Sequence, residues 1–195
     1  MSVRPFAGSL VFACLAASCA GGAPSSPGQE ERVAYDGPPP IVTDQSSYTV
    51  RRKEVHLPDG RLYGRFVEFS IVLRYTNPLR GPIYLPTCRG VNPPSIEKKD
   101  NQRWLIAFSP IVLACLGPPK IIEPGRTFEF TYHVEAALPG FNVMPEFNTT
   151  VPGTYRVVWG GYSLWHPSGA EPGLGVELPL SVTISNEFEL QESAN

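Results

Sequence analysis

The sequence predicts an all-β chain: an antiparallel β-sandwich of 7–8 strands, two sheets face to face. Two observations carry this reading. The first is proline. The 22 prolines among 195 residues fall as punctuation, and proline both removes a backbone donor and clashes with the preceding helical turn, so no long helix survives between them. The second is periodicity. Several stretches between the prolines alternate apolar and polar residues, the pattern of strands with one face in a core and the other in water.

Taken in order, Tyr48 to Leu57 forms the first candidate strand. It is joined to the second through Pro58-Asp59-Gly60, a turn in which glycine supplies a positive φ. In the second, Val67, Phe69, Ile71, Leu73 and Tyr75 share one face. Glu68, Ser70 and Arg74 lie opposite, with Val72 as the apolar exception. Ile83 to Pro86 is a short candidate. Ser95 to Lys98 and Trp104 to Phe108 flank Lys99-Asp100-Asn101-Gln102, a polar hairpin turn. Phe128, Phe130, Tyr132 and Val134 alternate with Thr127, Glu129, Thr131 and His133. Val182, Ile184, Phe188 and Leu190 alternate with Thr183, Ser185, Glu187 and Glu189, interrupted by Asn186.

Residues 151 to 157 read Val-Pro-Gly-Thr-Tyr-Arg-Val. A Gly-x-Tyr-x-apolar step entering a late strand resembles the tyrosine corner of immunoglobulin-like sandwiches, in which the phenol bonds back to the main chain. That resemblance assigns structural roles to Gly153 and Tyr155. Val157 stands where antibody domains place a cysteine, so no antibody-type disulfide is implied. Together with VEFSIVLRYTNPLRGPIYLP, Trp104 and IIEPGRTFEFTYHV, this strand is similar to bacterial immunoglobulin-like domains. The nearest named family it resembles is that of the bacterial intracellular proteinase inhibitors. The likeness covers about residues 63 to 160 and is architectural. It implies an immunoglobulin-like sandwich, with proteinase inhibition as an alternative function.

The N-terminus runs MSVRPFAGSLVFACLAASCAGG. Arg4 precedes an apolar run from Phe6 to Ser18 that is shorter than the ~20 residues a spanning helix needs and fits the h-region of a secretory signal. Leu15-Ala16-Ala17-Ser18-Cys19 resembles the bacterial lipobox, with Leu15 one place further from the cysteine than usual. The expectation is a signal peptide at 1–18, a lipidated Cys19 (palmitate-type chains) heading a flexible linker to residue 40, and a domain at 41–195. A cleaved, unlipidated secretory signal and a transmembrane anchor are the competing readings. Ala20 after the cysteine favours the outer over the inner membrane, by resemblance to known sorting rules. Cys14 leaves with the leader. Cys88 and Cys115 remain as an even pair in an oxidising compartment. A bond between them stabilises the fold by roughly 3–4 kcal/mol on the chain-entropy account; two buried free thiols are the alternative.

Chemistry is sparse. His56, His133 and His166 have no metal-ligand spacing, and no Gly-x-Ser-x-Gly elbow or phosphate-binding glycine loop occurs. Asp59, Glu97 and Asp100 sit in or beside turns. Asn148-Thr149-Thr150 matches a glycosylation acceptor only formally. No catalytic residue, metal or cofactor is expected, and the net charge of −2 gives no reason to expect nucleic acid. Arg51, Arg52, Lys53, Arg61 and Arg65 form either an anion-binding patch or a charged sheet edge that discourages aggregation. Two long connections are the places for function on a rigid sandwich. Ala136 to Pro152 carries Phe141, Val143, Met144 and Phe147, which cover an open core end or form a contact surface. Tyr162 to Pro179 carries Tyr162, Trp165 and His166 as a binding loop for a protein or polysaccharide. The functional expectation is a non-enzymatic, lipid-anchored envelope lipoprotein presenting a binding or structural module. The alternatives are the inhibitor-like domain and, third, a small polysaccharide-active enzyme.

Overall fold

The longest strand is Leu62–Thr76, fifteen residues in which Val67, Phe69, Ile71, Leu73 and Tyr75 are all buried, as their period-two spacing demands. In the computed structural model it belongs to the unit Val33–Asn195. The structure describes residues 35–88, 90–112, 117–160, 165–167 and 175–193. Their strands are β1 (Ile41–Thr43), β2 (Ser47–His56), β3 (Leu62–Thr76), β4 (Ile83–Leu85), β5 (Ser95–Asp100), β6 (Arg103–Phe108), β7 (Lys120–Ile122), β8 (Thr127–Ala137), β9 (Gly153–Val158), β10 (Trp165–Pro167), β11 (Gly175–Glu177) and β12 (Phe188–Glu192).

The chain is all-β, and eight strands make the sandwich. In the first layer β3 pairs with β8 from Phe66 to Thr76, while β1 and then β2 share its other edge in tandem. The second layer runs β12–β9–β5–β6. Aromatic side chains meet between them: Phe130 of β8 lies 5.6 Å from Trp159, and Phe69 of β3 packs edge-on to Phe147 at 6.2 Å. A second, small sheet, β11–β10–β4–β7, is built from segments of three residues, of which β4 matches the short candidate Ile83 to Pro86 and the others are too short for alternation to show.

One strand departs from the purely antiparallel expectation. Ser47–Val50 of β2 runs parallel to Glu189–Glu192 of β12, whereas Arg51–His56 of the same strand runs antiparallel to β3. Seven of the eight strands are therefore one hydrogen-bonded path folded back on itself, and β8 joins it at β3. Asp44 makes the crossing possible. Where β1 leaves β3, the Val72 N–H would lose its partner, and Asp44 Oδ1 accepts it at 3.0 Å. The Tyr48 hydroxyl donates to the same carboxylate oxygen at 2.6 Å. Asn186 holds the other side: its Oδ1 accepts the Thr43 N–H at 2.8 Å, and its Nδ2 donates to Thr43 Oγ1 at 2.9 Å.

That role corrects the expectation of one strand from Val182 to Leu190. Leu180–Val182 is a 3-10 turn, and β12 starts only at Phe188. Ser185 and Asn186 spend their side chains on the Val157 N–H and on Thr43, bonds that a regular ladder would not require.

The predicted turns form as their residues dictate. Gly60 has φ of 83°, and its N–H donates to Leu57 O. Asn101 and Gln102, at φ of 45° and 70°, make the two-residue reversal that suits strand twist. Glu123 O accepts the Arg126 N–H across Pro124-Gly125. At the tyrosine corner, the Tyr155 hydroxyl points back to Val151 O at 2.6 Å and Thr150 O at 2.9 Å. Gly153, at φ of 147°, holds a backbone conformation that residues with a Cβ rarely adopt, and a Cβ there would also push aside the flexible end of Lys98.

Partial burial works against the Asp44 charge, but the donated bonds from Tyr48, Val72 and Gln45 outweigh it, and its pKa falls below the ordinary 3.8. A depressed carboxylate stabilises the fold above its unfolded pKa, and that contribution disappears as pH falls through the folded value. Asp44→Asn is therefore expected to lower the urea midpoint at pH 7, with the gap to wild type shrinking below pH 3.8. A gap independent of pH would contradict this role.

Candidate functional site

The basic group around β2 is neutralised. Arg51 pairs with Glu68, Arg52 with Glu192, Lys53 with Glu135, Arg61 with Asp59 and Arg65 with Glu54. Every one of these arginine and lysine side chains has an acid beside it, so the cluster offers an anion little net field. Such exposed pairs add little stability. They do place charge along the half of β2 that β12 leaves uncovered, the arrangement that discourages strand addition.

The edge of the second layer differs. β6 is the terminal strand of the second layer. Leu105 is 47 % and Ile106 58 % exposed, and Trp104 is half-buried. The Trp104 ring is covered from one side by the Arg156 guanidinium, 4.3 Å from its centroid, and flanked by Lys99 at 5.6 Å. Arg156 is itself fixed by Glu97, through Nε at 2.8 Å and a terminal nitrogen at 2.7 Å. With side chains only 13 % and 18 % exposed, this is the least solvated ion pair among the described residues, and low exposure strengthens it. Lys99 is held in turn by Glu187 at 3.0 Å.

Beside this stack lies a groove of about 320 Å³ lined by Ser95, Glu97, Ile106, Val158, Glu177 and Leu180 among others. Two sheets and one connection build it. β5, β6 and β9 give the floor, and the stretch from β11 to the 3-10 turn gives Glu177 and Leu180, the latter 50 % exposed. A larger hollow of about 620 Å³ lies near the tyrosine corner between Leu138, Pro152 and the Arg52–Glu192 pair. Its charged groups already satisfy one another.

Of the residues singled out in the sequence, Cys19, the expected lipidation site, lies outside the described residues, as do Cys115 and Tyr162. Trp165 and His166 are not the tip of a loop: Trp165–Pro167 is β10, paired with β11 and, at Trp165, with Tyr84 of β4. The far end of that connection is what reaches the groove. In the other long connection, Phe147 is buried against Phe69, Phe108 and Tyr155, so it closes the core, whereas Met144 is 68 % exposed. Cys88 donates its N–H to Gly90 O. The neighbouring Thr87 hydroxyl donates to Pro118 O at 2.8 Å.

Sequence reasoning missed two groupings. Ser70 Oγ and His133 Nδ1 lie 2.8 Å apart, a cross-strand pair on the exposed face of β3 and β8. The Trp104–Arg156–Glu97 stack was also unseen; Glu97 read as a solvated carboxylate near a turn. The signal that locates it is register, because Glu97 opposes both Ile106 and Arg156 in the ladder. Among the described residues no group of three or more His, Cys, Asp or Glu side chains is placed to hold a metal. No protein family, curated protein or solved structure matches the chain.

Removing Glu97 strands a guanidinium that is largely shielded from water. Glu97→Ala is expected to cost about 1–3 kcal/mol, read as a lower urea midpoint with an unchanged slope. Loss of no more than a surface pair's worth, under about 0.5 kcal/mol, would show that Arg156 is held by Trp104 alone.

Proposed function

We propose that this chain is a non-enzymatic lipoprotein of the bacterial envelope, held by lipid on Cys19, whose sandwich works as a binding module through the outer face of β5, β6 and β9. The observation that carries the binding half is the juxtaposition of Trp104 and Ile106 with the groove between Glu97, Val158 and Leu180. Aromatic and aliphatic side chains left partly in water next to a rigid, ion-paired support match what partner-binding surfaces use: apolar anchors whose positions are fixed before contact. A segment of protein or a polysaccharide chain fits a shallow groove of this kind, with stacking on the indole as the shared element.

The anchoring half rests on residues 1–19 and on the lipobox-like Leu15-Ala16-Ala17-Ser18-Cys19. A bond between Cys88 and Cys115 belongs to the same proposal. Thr87 sits against Pro118, and a Cβ on Gly117 would stand 2.8 Å from Thr87 O. The chain near Cys88 and the chain two residues past Cys115 therefore run side by side, as the bond requires.

The test is intact-mass spectrometry of the full gene product recovered from membranes of a bacterial host, together with retention on immobilised envelope polysaccharide and on envelope protein. Expected are an acylated N-terminal cysteine, a mass two hydrogens short, and retention that Trp104→Ala weakens several-fold. A protein left in the soluble fraction with its leader intact would contradict the anchoring. Retention indifferent to Trp104→Ala would contradict the site. Stoichiometric inhibition of a proteinase would replace this reading with the inhibitor one.

A further inference from the structure

The edge of β6 and its outer face are separate surfaces, and the edge has a property of its own. Asn101 and Gln102 form a two-residue reversal, so Asp100 and Arg103 are the first hydrogen-bonded couple of the β5–β6 hairpin. Antiparallel alternation then turns the main-chain groups of Arg103 and Leu105 toward β5 and those of Trp104 and Ile106 away from it. Further along, the edge is already covered: the Asn148 N–H donates to Ala107 O at 2.7 Å, and Phe108 bridges to Phe147. Among the described residues, the open stretch is Trp104–Leu105–Ile106, and it carries no charge. The uncovered half of β2, by contrast, carries Arg51, Arg52, Lys53 and Glu54 in succession. One edge has the charges that block strand addition and the other lacks them.

We infer that β6 pairs with β6 of a second copy of this chain, antiparallel and two-fold symmetric about Leu105. The register follows from which groups face outward. Among the described residues of this edge, Trp104 and Ile106 are the ones whose N–H and C=O turn outward, so Trp104 must face the partner's Ile106 and Ile106 the partner's Trp104. Leu105 then meets the partner's Leu105 on the axis, as the closely spaced, non-hydrogen-bonded couple. The stretch is thus its own complement: two aromatic–β-branched couples, a pairing favoured across strands, flank a leucine contact. The charges agree as well. Lys99 opposes Trp104 and Glu97 opposes Ile106 in the ladder. The row crossing the junction therefore reads Lys99, Trp104, the partner's Ile106, the partner's Glu97, basic toward acidic. Two copies of the second layer become one continuous sheet, and the grooves beside Ile106 stay open on its outer face. This association depends on the β6 edge alone and stands or falls independently of what the groove binds.

A three-residue junction is at the small end of specific interfaces, so the measurement needs high concentration. The test is the mass of the full chain in mild detergent, by sedimentation equilibrium from about 5 to 200 µM, for wild type, Leu105→Glu, Leu105→Lys and an equal mixture of the two variants. Expected are a reversible dimer for wild type and a dissociation constant raised about tenfold or more in each variant, where like charges meet on the axis. The mixture should recover the dimer, which also rules out misfolding as the cause of the single-variant losses. A wild type monomeric across the range, a dimer that survives Leu105→Glu, or a mixture that stays monomeric would each overturn the proposal.

Discussion

The architecture depends on a backbone accounting problem at Asp44. A strand that pairs first with one sheet and then with another leaves amides behind at the crossing, and a shielded one such as that of the buried Thr43 needs a partner, since an unpaired buried amide costs about 1–3 kcal/mol. The carboxylate of Asp44 takes the Val72 N–H, the Tyr48 hydroxyl closes over it, and Asn186 takes the Thr43 N–H. With those bonds in place, β2 can run beside β12 for four residues and return to β3. The two layers are then tied by main-chain bonds as well as by side-chain packing. Tyr48, 5.5 Å from Phe188 and edge-on to it, serves both: its ring packs between layers while its hydroxyl serves the crossing. Burial and the Asp44 bond raise the Tyr48 pKa to about 12, so it remains a donor at any ordinary pH.

This closure has a consequence for the edges. Folding one path back on itself leaves the outer half of β2 at one margin and β6 at another, with β8 also bordering the first layer. Charge is concentrated on the first, in five exposed ion pairs that add little to stability but make the margin a poor template. The second carries tryptophan, leucine and isoleucine in sequence. The Trp104 indole is not loose there. It is clamped by Arg156, which is clamped by Glu97, so the apolar strip is presented on a support whose charges are internally compensated. Preorganised apolar groups of this kind lose little freedom on contact, which is why the functional reading is placed here and not at the larger hollow near the tyrosine corner.

How much of this the sequence disclosed depends on the range of the cause. Alternation in β3 and β8 was legible because each residue there answers to one neighbour, the core beneath it. The turns at Gly60 and Gly125 were legible because φ is set locally. The Gly153–Tyr155 step was legible for the same reason, since the phenol reaches back only four and five residues. Asn186 was visible as an interruption but not as a crossing device, because its partner Thr43 lies 143 residues away. The parallel pairing of β2 with β12 leaves no periodic trace at all. Strands as short as β7, β10 and β11 offer too few residues for a period, which is why Trp165 and His166 read as a loop. The Trp104–Arg156–Glu97 stack draws on three strands and becomes apparent only once their register is fixed.

The direct test of the shared strand is hydrogen–deuterium exchange, followed by mass spectrometry, on the segment 47–56. If β2 is bonded to both layers, residues 47–50 are released only when the sandwich opens as a whole, and they exchange at the slow rate of the β3 and β12 segments. If residues 47–50 exchange as fast as the turn at 58–60 while 51–56 stays protected, the parallel pairing does not hold the layers together and the account fails.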